Sequence, residues 1–360
     1  MPLLKKLSIT RLRNLDTVTI APSPAFNFIY GENGSGKSSM LEAIFLLGRA
    51  KTFRSASKTP IIQIGTNDCV IHALLDEEQS LGFSRTQSGD QQIRINGQNA
   101  GNSAELAQKL PLQLFNADAF KILEGGPGVR RGFLDWGVFH VEQDFISHWR
   151  QAQRALLNRN SLLKKRNIDH AELKPWTQEF CRHAEEVHKY REAYIKKYVL
   201  SLSTTLNEML PLDSFSLKYV KGWEQDEDLE AVLSKSLDKD IKYGHTASGP
   251  HRADLKIQIG SESAAEHLSR GQQKLLLIAM KFSQAILLKE QCSKSCVFLL
   301  DDLPAELDSA NRSRVLAMLS KLGEQAFITG IAKQDLLESM QEIGKEMKLF
   351  HVEHGKIATE

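Results

Sequence analysis

Apolar positions recur along the chain with two different periods, and the change of period divides it into three stretches. Up to about residue 118 the runs are short and strand-like, and the spacing predicts strands over 3–10, 17–20 and 26–30. The pattern at 38–47 is helical. Further β-runs are expected over 69–75, 81–86 and 91–96, with Asn96-Gly97 as a hairpin turn signal. From about 119 to 243 the period becomes helical, with long helices predicted over 145–166 and 174–209. Pro175 then lies near a helix start, where proline is tolerated. Strand and helix alternate again from about 253 to the end. The expected organisation is an α/β lobe over 1–118 and 244–360, interrupted by a mainly helical second lobe over 119–243.

Composition narrows this picture. Hydrophobic residues make up 41% of 360 positions and charged residues 25%, so the chain can bury one large core or two moderate ones. No apolar run reaches the length of a membrane span, and the first residues lack the apolar segment of a signal peptide. Four cysteines do not make a disulfide framework, which leads to the expectation of a cytoplasmic protein with no membrane partner. Cys292 and Cys296 are four apart without a supporting histidine, so no metal site is expected there. With 46 basic against 44 acidic residues the net charge is only +2, and any contact with nucleic acid has to come from a local patch.

The sharpest local chemistry is Gly31-Glu32-Asn33-Gly34-Ser35-Gly36-Lys37-Ser38, followed by Ser39, between an apolar strand and a helix. It fits GxxxxGK[ST] in the context that motif requires. The glycines let backbone N–H groups converge on phosphate, and the helix turns its positive end toward it. Lys37 is expected on the β and γ phosphates of ATP, and Ser38 on Mg²⁺.

Two later motifs follow in order. Leu268-Ser269-Arg270-Gly271-Gln272-Gln273-Lys274 opens a long apolar helix pattern and also reads as an ordinary N-capped helix start. The buried-strand run 296–300 then ends in Asp301-Asp302, carboxylates at the end of an α/β strand, followed by Ala305-Glu306-Leu307-Asp308. This set resembles the ATP-binding cassette ATPases. The resemblance implies a nucleotide held between two heads: Asp301 holding Mg²⁺ through water, Asp302 orienting or deprotonating the attacking water, Ser269, Arg270, Gly271 and Gln272 as the signature completing the partner's site, and Asp308 at the dimer contact. Asp302 stands where such enzymes usually have Glu, so slow turnover suited to a switch is expected. No histidine follows the strand ending at Thr329. Gln113 is the candidate for the glutamine that contacts the catalytic centre, the alternative being a strand residue with a solvent-facing amide.

Lys37 and Ser269 are 232 positions apart, farther than in transporter cassettes and without the long heptad coils of chromosome-maintenance ATPases. The segment ITRLRNL, with Arg11 and Asn14 as candidate nucleotide contacts, resembles the start of SMC-type heads. Gly125–Trp136 (GGPGVRRGFLDW) and Ser248–Leu255 (SGPHRADL) resemble the RecF family of bacterial recombination and replication-repair proteins. That resemblance implies an α/β fold of the cassette-type P-loop ATPase head, with a mixed sheet, helices and an antiparallel β subdomain, carrying the helical insertion. It also implies an ATP-dependent homodimer that binds single- and double-stranded DNA at gaps or stalled forks. RecR and RecO are its implied partners, with effects on RecA loading and SOS induction. The energising subunit of a transporter, and a scaffold that binds ATP without hydrolysing it, are the alternatives. For DNA, Arg150, Arg154, Arg159, Lys164, Lys165 and Arg166 form a stretch without acids, with a solvated helix face as the other reading. Arg130 and Arg131 are open to DNA, nucleotide or a neighbouring acid, and His251 and Arg252 fit a structural turn after Gly249-Pro250.

Overall fold

The computed structural model describes residues 3–54, 61–76, 79–165, 167, 169–338 and 344–359. The chain forms two compact units, one of Met1–Ala119 with Leu288–Glu360, the other of Phe120–Leu287.

In the first unit the strands Phe26–Tyr30, Ala326–Gly330 and Val297–Leu300 are buried along almost their whole length and mostly apolar, the pattern of strands covered on both faces. They lie side by side and parallel, flanked by the parallel Leu112–Phe115 on one edge and Met347–Glu353 on the other. Lys356–Thr359 closes the second edge antiparallel. A second, wholly antiparallel sheet runs in the order Leu15–Ile20, Leu4–Leu12, Asp68–Leu75, Ser80–Thr86, Gln91–Ile95, Gln98–Asn99. Here buried and exposed residues alternate, as in Asp68–Leu75, so one face is dry. Its tip is the Asn96-Gly97 turn, where both residues have positive φ (50° and 77°), the geometry of a two-residue hairpin loop.

The helix Lys37–Arg49 packs in the core shared by these two sheets, with Met40, Leu41, Ile44 and Leu47 fully buried. A helix buried nearly all round is apolar nearly all round, which is why Lys37, Ser39 and Glu42 stand out as buried polar residues needing partners.

The second unit holds Pro127–Val141, Phe145–Leu163 and the long His170–Met209 helix. Asp169 caps the last of these, its Oδ1 accepting from the Ala171 N–H at 2.8 Å. The helix therefore starts four residues before the expected position, and Pro175 lies inside it, with no N–H to offer the Ala171 carbonyl. The return to the first unit is also displaced. The expected boundary is 244, but Asp254–Ile259 pairs with Phe215–Val220 and Glu262–Ser263 in a three-stranded antiparallel sheet belonging to the second unit. The division falls instead at Leu287–Leu288, within the helix Arg270–Cys292.

Candidate nucleotide site

The turn between Phe26–Tyr30 and Lys37–Arg49 is built on positive φ at Gly31, Gly34 and Gly36. Two of these glycines are also fixed by crowding. A Cβ on Gly31 would stand 2.2 Å from the Val352 carbonyl oxygen, and one on Gly36 2.9 Å from Leu15 Cδ2. Asn14 braces the turn from the side: its Nδ2 donates to the Gly34 carbonyl at 3.0 Å and its Oδ1 accepts from Ser39 Oγ at 3.0 Å. Gly36 is the helix N-cap and brings no side-chain acceptor, so the first N–H groups of the helix are left for a ligand.

A cavity of about 410 Å³ opens over this turn, lined by Asn14, Asn33, Gly34, Gly36, Lys37, Ser38 and Ser39 from the phosphate-loop side. Asp301, Asp302 and Thr329 line it from the ends of the two neighbouring parallel strands. Lys37 Nζ donates to the carbonyls of Gly31 and Glu32, both at 2.8 Å, so its ammonium arches back over the loop. Burial holds that ammonium below its ordinary range, opposed by the charges of Asp302 and Asp301. Asp302 is shifted the other way: burial and the Asp301 charge raise its carboxyl, with Lys37 opposing. The cavity thus collects a cation suited to phosphate and two neighbouring carboxylates, of which Asp302 has its proton affinity raised.

The residues also fit a divalent cation bound with phosphate. Among the described residues no cluster of three or more His, Cys, Asp or Glu could hold a metal alone. Asp301 and the Ser38 hydroxyl line the same cavity, so together with phosphate oxygens they supply hard oxygen donors of the kind Mg²⁺ prefers.

Several lining residues escaped the sequence reading: Arg13, Arg54, Ile62, Ile64 and Thr329. Arg13, not Arg11, reaches the cavity. Arg11 pairs with Asp68, its Nε also donating to the Asp68 carbonyl at 3.3 Å. Arg13 forms a buried two-bond pair with Glu42, Nε to Oε2 at 2.7 Å and Nη2 to Oε1 at 2.8 Å. Ile64, 90% exposed, is an apolar rim residue beside these charges. Gln113 does not line the cavity. It is buried in register with Phe298, so neither the catalytic assignment nor the solvent-facing alternative describes it.

In the second unit, Ser269 caps the helix Arg270–Cys292 through a reciprocal pair of bonds. Gln272 N–H donates to Ser269 Oγ at 3.4 Å, and Ser269 N–H donates to Gln272 Oε1 at 3.0 Å. Ser269, Arg270, Gly271 and Gln272 are all exposed, and Arg270 pairs with Glu124. In the first unit Asp308 caps Ser309–Leu322, accepting from the Asn311 N–H at 2.8 Å.

The basic stretch separates into unlike parts. Arg150, Arg154, Lys164 and Lys165 are exposed, Lys165 pairing with Glu172 at 2.9 Å. Arg166 lies outside the described residues. Arg159 is fully buried: Nη1 binds Asp240 Oδ2 at 2.9 Å and also the Thr246 hydroxyl, and Nε binds Thr177 Oγ1 at 3.1 Å. It is a core ion pair and not a phosphate contact. Arg130 likewise grips Asp254 through two bonds of 2.7 and 3.0 Å, while Arg131 donates to the Ala253 carbonyl at 2.8 Å. His251 sits in the turn Pro250–Arg252, its Nε2 against the Thr246 carbonyl at 3.0 Å, and burial pushes its imidazole down to about 4.

The family described as RecF/RecN/SMC N terminal domain matches residues 3–358. The DNA replication and repair protein RecF of Pseudomonas fluorescens (strain Pf-5) is 46% identical over 358 residues, 98% of this chain and 97% of that protein. Its counterpart in Pseudomonas syringae pv. tomato is 45% identical with the same coverage. Among solved structures, the recombination mediator protein RecF-ATP in the RecFOR pathway superposes with a TM-score of 0.87 at 26% identity, covering 100% of this chain and 98% of that one. The RecF-ATPrS structure gives 0.86 at 28%, covering 99% and 98%. The Smc head domain of Pyrococcus furiosus shares the fold at a TM-score of 0.61 and 19% identity, covering 100% and 96%. On these grounds, the chain belongs to the RecF family of DNA replication and repair proteins, within the RecF/RecN/SMC N-terminal domain group.

Proposed function

We propose that this chain is a slow, DNA-stimulated ATPase that uses ATP to close a homodimer on single- and double-stranded DNA at gaps or stalled forks. The observation that carries the reading is the convergence of Lys37, Ser38, Asp301 and Asp302 on one cavity at a helix N-terminus. Lys37 and the loop N–H groups bind and orient the triphosphate. Asp302, whose carboxyl is raised by burial and by the Asp301 charge, holds the attacking water and receives its proton. Mg²⁺, when bound by Ser38 and Asp301, supplies charge neutralisation for the phosphates. Its shorter side chain, compared with Glu, leaves Asp302 a less favourable reach, in keeping with a switch more than a motor.

The exposed, capped N-terminus of Arg270–Cys292 is the second half of the reading. Ser269, Arg270, Gly271 and Gln272 meet the γ-phosphate held by a second copy, with Asp308 at the contact between copies, so that closure lasts as long as that phosphate. Arg150 and Arg154, exposed on one helix face, bind DNA phosphates together with Lys164 and Lys165. The relatives' names support a role in replication and repair, and the RecFOR pathway of the similar structures supports RecR and RecO as partners, with RecA loading and SOS induction downstream, in the cytoplasm. No helix among the described residues is long and apolar enough to cross a membrane.

Sedimentation of the wild type and Asp302→Asn with ATP, with and without gapped DNA, tests the proposal. The variant accumulates as a DNA-bound dimer. If it stays monomeric and DNA-free under ATP, the gating scheme is wrong.

A further inference from the structure

The acid pair is held by a residue on the neighbouring strand. Val297–Leu300 and Ala326–Gly330 run parallel, with Leu300 in register with Ile328, so the next step along both strands brings Thr329 beside Asp301. The Thr329 hydroxyl donates to Asp301 Oδ1 at 2.9 Å and accepts the Asp302 backbone N–H at 2.7 Å. Thr329 is fully buried yet lines the nucleotide cavity. A hydroxyl has one proton, so the direction of both bonds is determined: the proton goes to the carboxylate and a lone pair takes the amide. Asp302, in the turn after the strand, has φ of 55°, in the left-handed region, and the bond from its amide to Thr329 fixes where its side chain leaves that turn.

We infer that Thr329 is the positioning residue of the hydrolytic acid pair: its bond to Oδ1 fixes the Asp301 carboxylate that would hold the nucleotide-bound cation, and its bond to the Asp302 N–H fixes the backbone from which the Asp302 carboxylate would meet the water. This rests on the reading that the pair serves nucleotide hydrolysis. The strand end occupied by Thr329 is the one from which a switch histidine is missing. Removing the hydroxyl while keeping the shape, as in Thr329→Val, leaves a buried N–H without its acceptor and lets the Asp301 carboxylate turn.

The test uses Thr329→Val, Thr329→Ala and Thr329→Ser in the full chain, with Asp301→Asn as reference. Fluorescent ATP analogue binding in EDTA reports the phosphate loop, and Mn²⁺ binding to the protein–ADP complex by electron paramagnetic resonance reports the acid pair without turnover. Thr329→Val and Thr329→Ala keep the EDTA affinity, lose about 10- to 100-fold in Mn²⁺ affinity, and lose kcat with little change in KM. Thr329→Ser restores both to within about threefold. Should Thr329→Val fail to fold, the Ala-to-Ser comparison decides. If the hydroxyl-free variants bind Mn²⁺ and turn over like wild type while Asp301→Asn does not, the inference falls and the hydrolytic reading stands. If Asp301→Asn also matches wild type, the hydrolytic reading falls first.

Discussion

Replacing Arg159 separates a core role from a DNA-binding role. Its guanidinium and the Asp240 carboxylate are both fully buried, and the pair is satisfied by Thr177, Thr246 and the Ala247 N–H, the last donating to Asp240 Oδ1 at 3.0 Å. Arg159→Met leaves a buried carboxylate with a single amide donor. Breaking one side of such a pair destabilises by about 3–5 kcal/mol, because the remaining charge is stranded away from water. For a unit of this size, each kcal/mol moves the melting midpoint by about 2–4 °C, so a fall of about 6–20 °C is expected by calorimetry or circular dichroism. Asp240→Leu should fall by a similar amount. The double variant should lose less than the two singles together, with a coupling of about 1 kcal/mol or more, since no lone charge remains. Below its midpoint, Arg159→Met should bind DNA with the wild-type salt slope. A variant that melts like wild type but loses about 0.9 from that slope would refute the assignment, because it would make Arg159 a phosphate contact.

Three other outcomes follow from particular contacts. Gly36→Ala puts a Cβ against Leu15 at a φ of 124°, so nucleotide affinity by fluorescence titration should fall about tenfold or more and the melting midpoint should drop by about 2–12 °C. Arg150→Glu with Arg154→Glu alters two exposed positions on one helix face; DNA affinity should weaken for every sequence and the salt slope should drop by about 0.9 per contact, with ATP binding unchanged. The third concerns pH: the His251 imidazole titrates at about 4 in the folded chain, well below its unfolded value near ~6.5. The unfolded chain then binds the extra proton first, so this contribution is complete above about pH 6.5 and is lost as pH falls toward 4. Urea midpoints of wild type and His251→Asn at pH 7 and pH 5 should therefore converge on acidification, by an amount on the order of 1–3 kcal/mol.

Legibility in the sequence tracks how local each interaction is. The phosphate loop, the strand ending in Asp301-Asp302 and the Asn96-Gly97 hairpin are set by adjacent residues, and each is found where its motif points. Composition alone groups Arg159 with the exposed bases of its stretch, although it is fully buried. At about 100° per residue it is turned by about 180° from Arg150, so helical geometry alone sets it on the opposite face. Arg11 lies at the end of the strand Leu4–Leu12 and Arg13 in the turn just after it; both have positive φ (55° and 57°), which ends the strand's alternation and sends one to Asp68 and the other to Glu42. The boundary at 244 failed for a different reason. A strand pattern at 254–259 does not say which sheet it joins, and its partner is Phe215–Val220. Thr329 was invisible for the same reason, since its bonds to Asp301 and Asp302 depend on the register of two strands distant in sequence.

The two readings of Ser269, helix cap and phosphate contact, are compatible once its atoms are counted. As a cap, Oγ uses a lone pair for the Gln272 N–H, which leaves the hydroxyl proton to donate elsewhere. A phosphate oxygen from a second copy is a suitable acceptor, and the exposed first turn adds N–H groups and the positive end of the helix. Ser269→Asp tests this economy of atoms. Aspartate is as good a cap as serine, so the melting midpoint should stay within a degree or two of wild type. Its carboxylate has no proton to give and repels the γ-phosphate, so ATP-dependent dimerisation by analytical ultracentrifugation should be abolished while ATP binding by the monomer persists. If Ser269→Asp dimerises with ATP as wild type does, the serine is a cap and nothing more, and the closing contact between copies has to be sought on another surface.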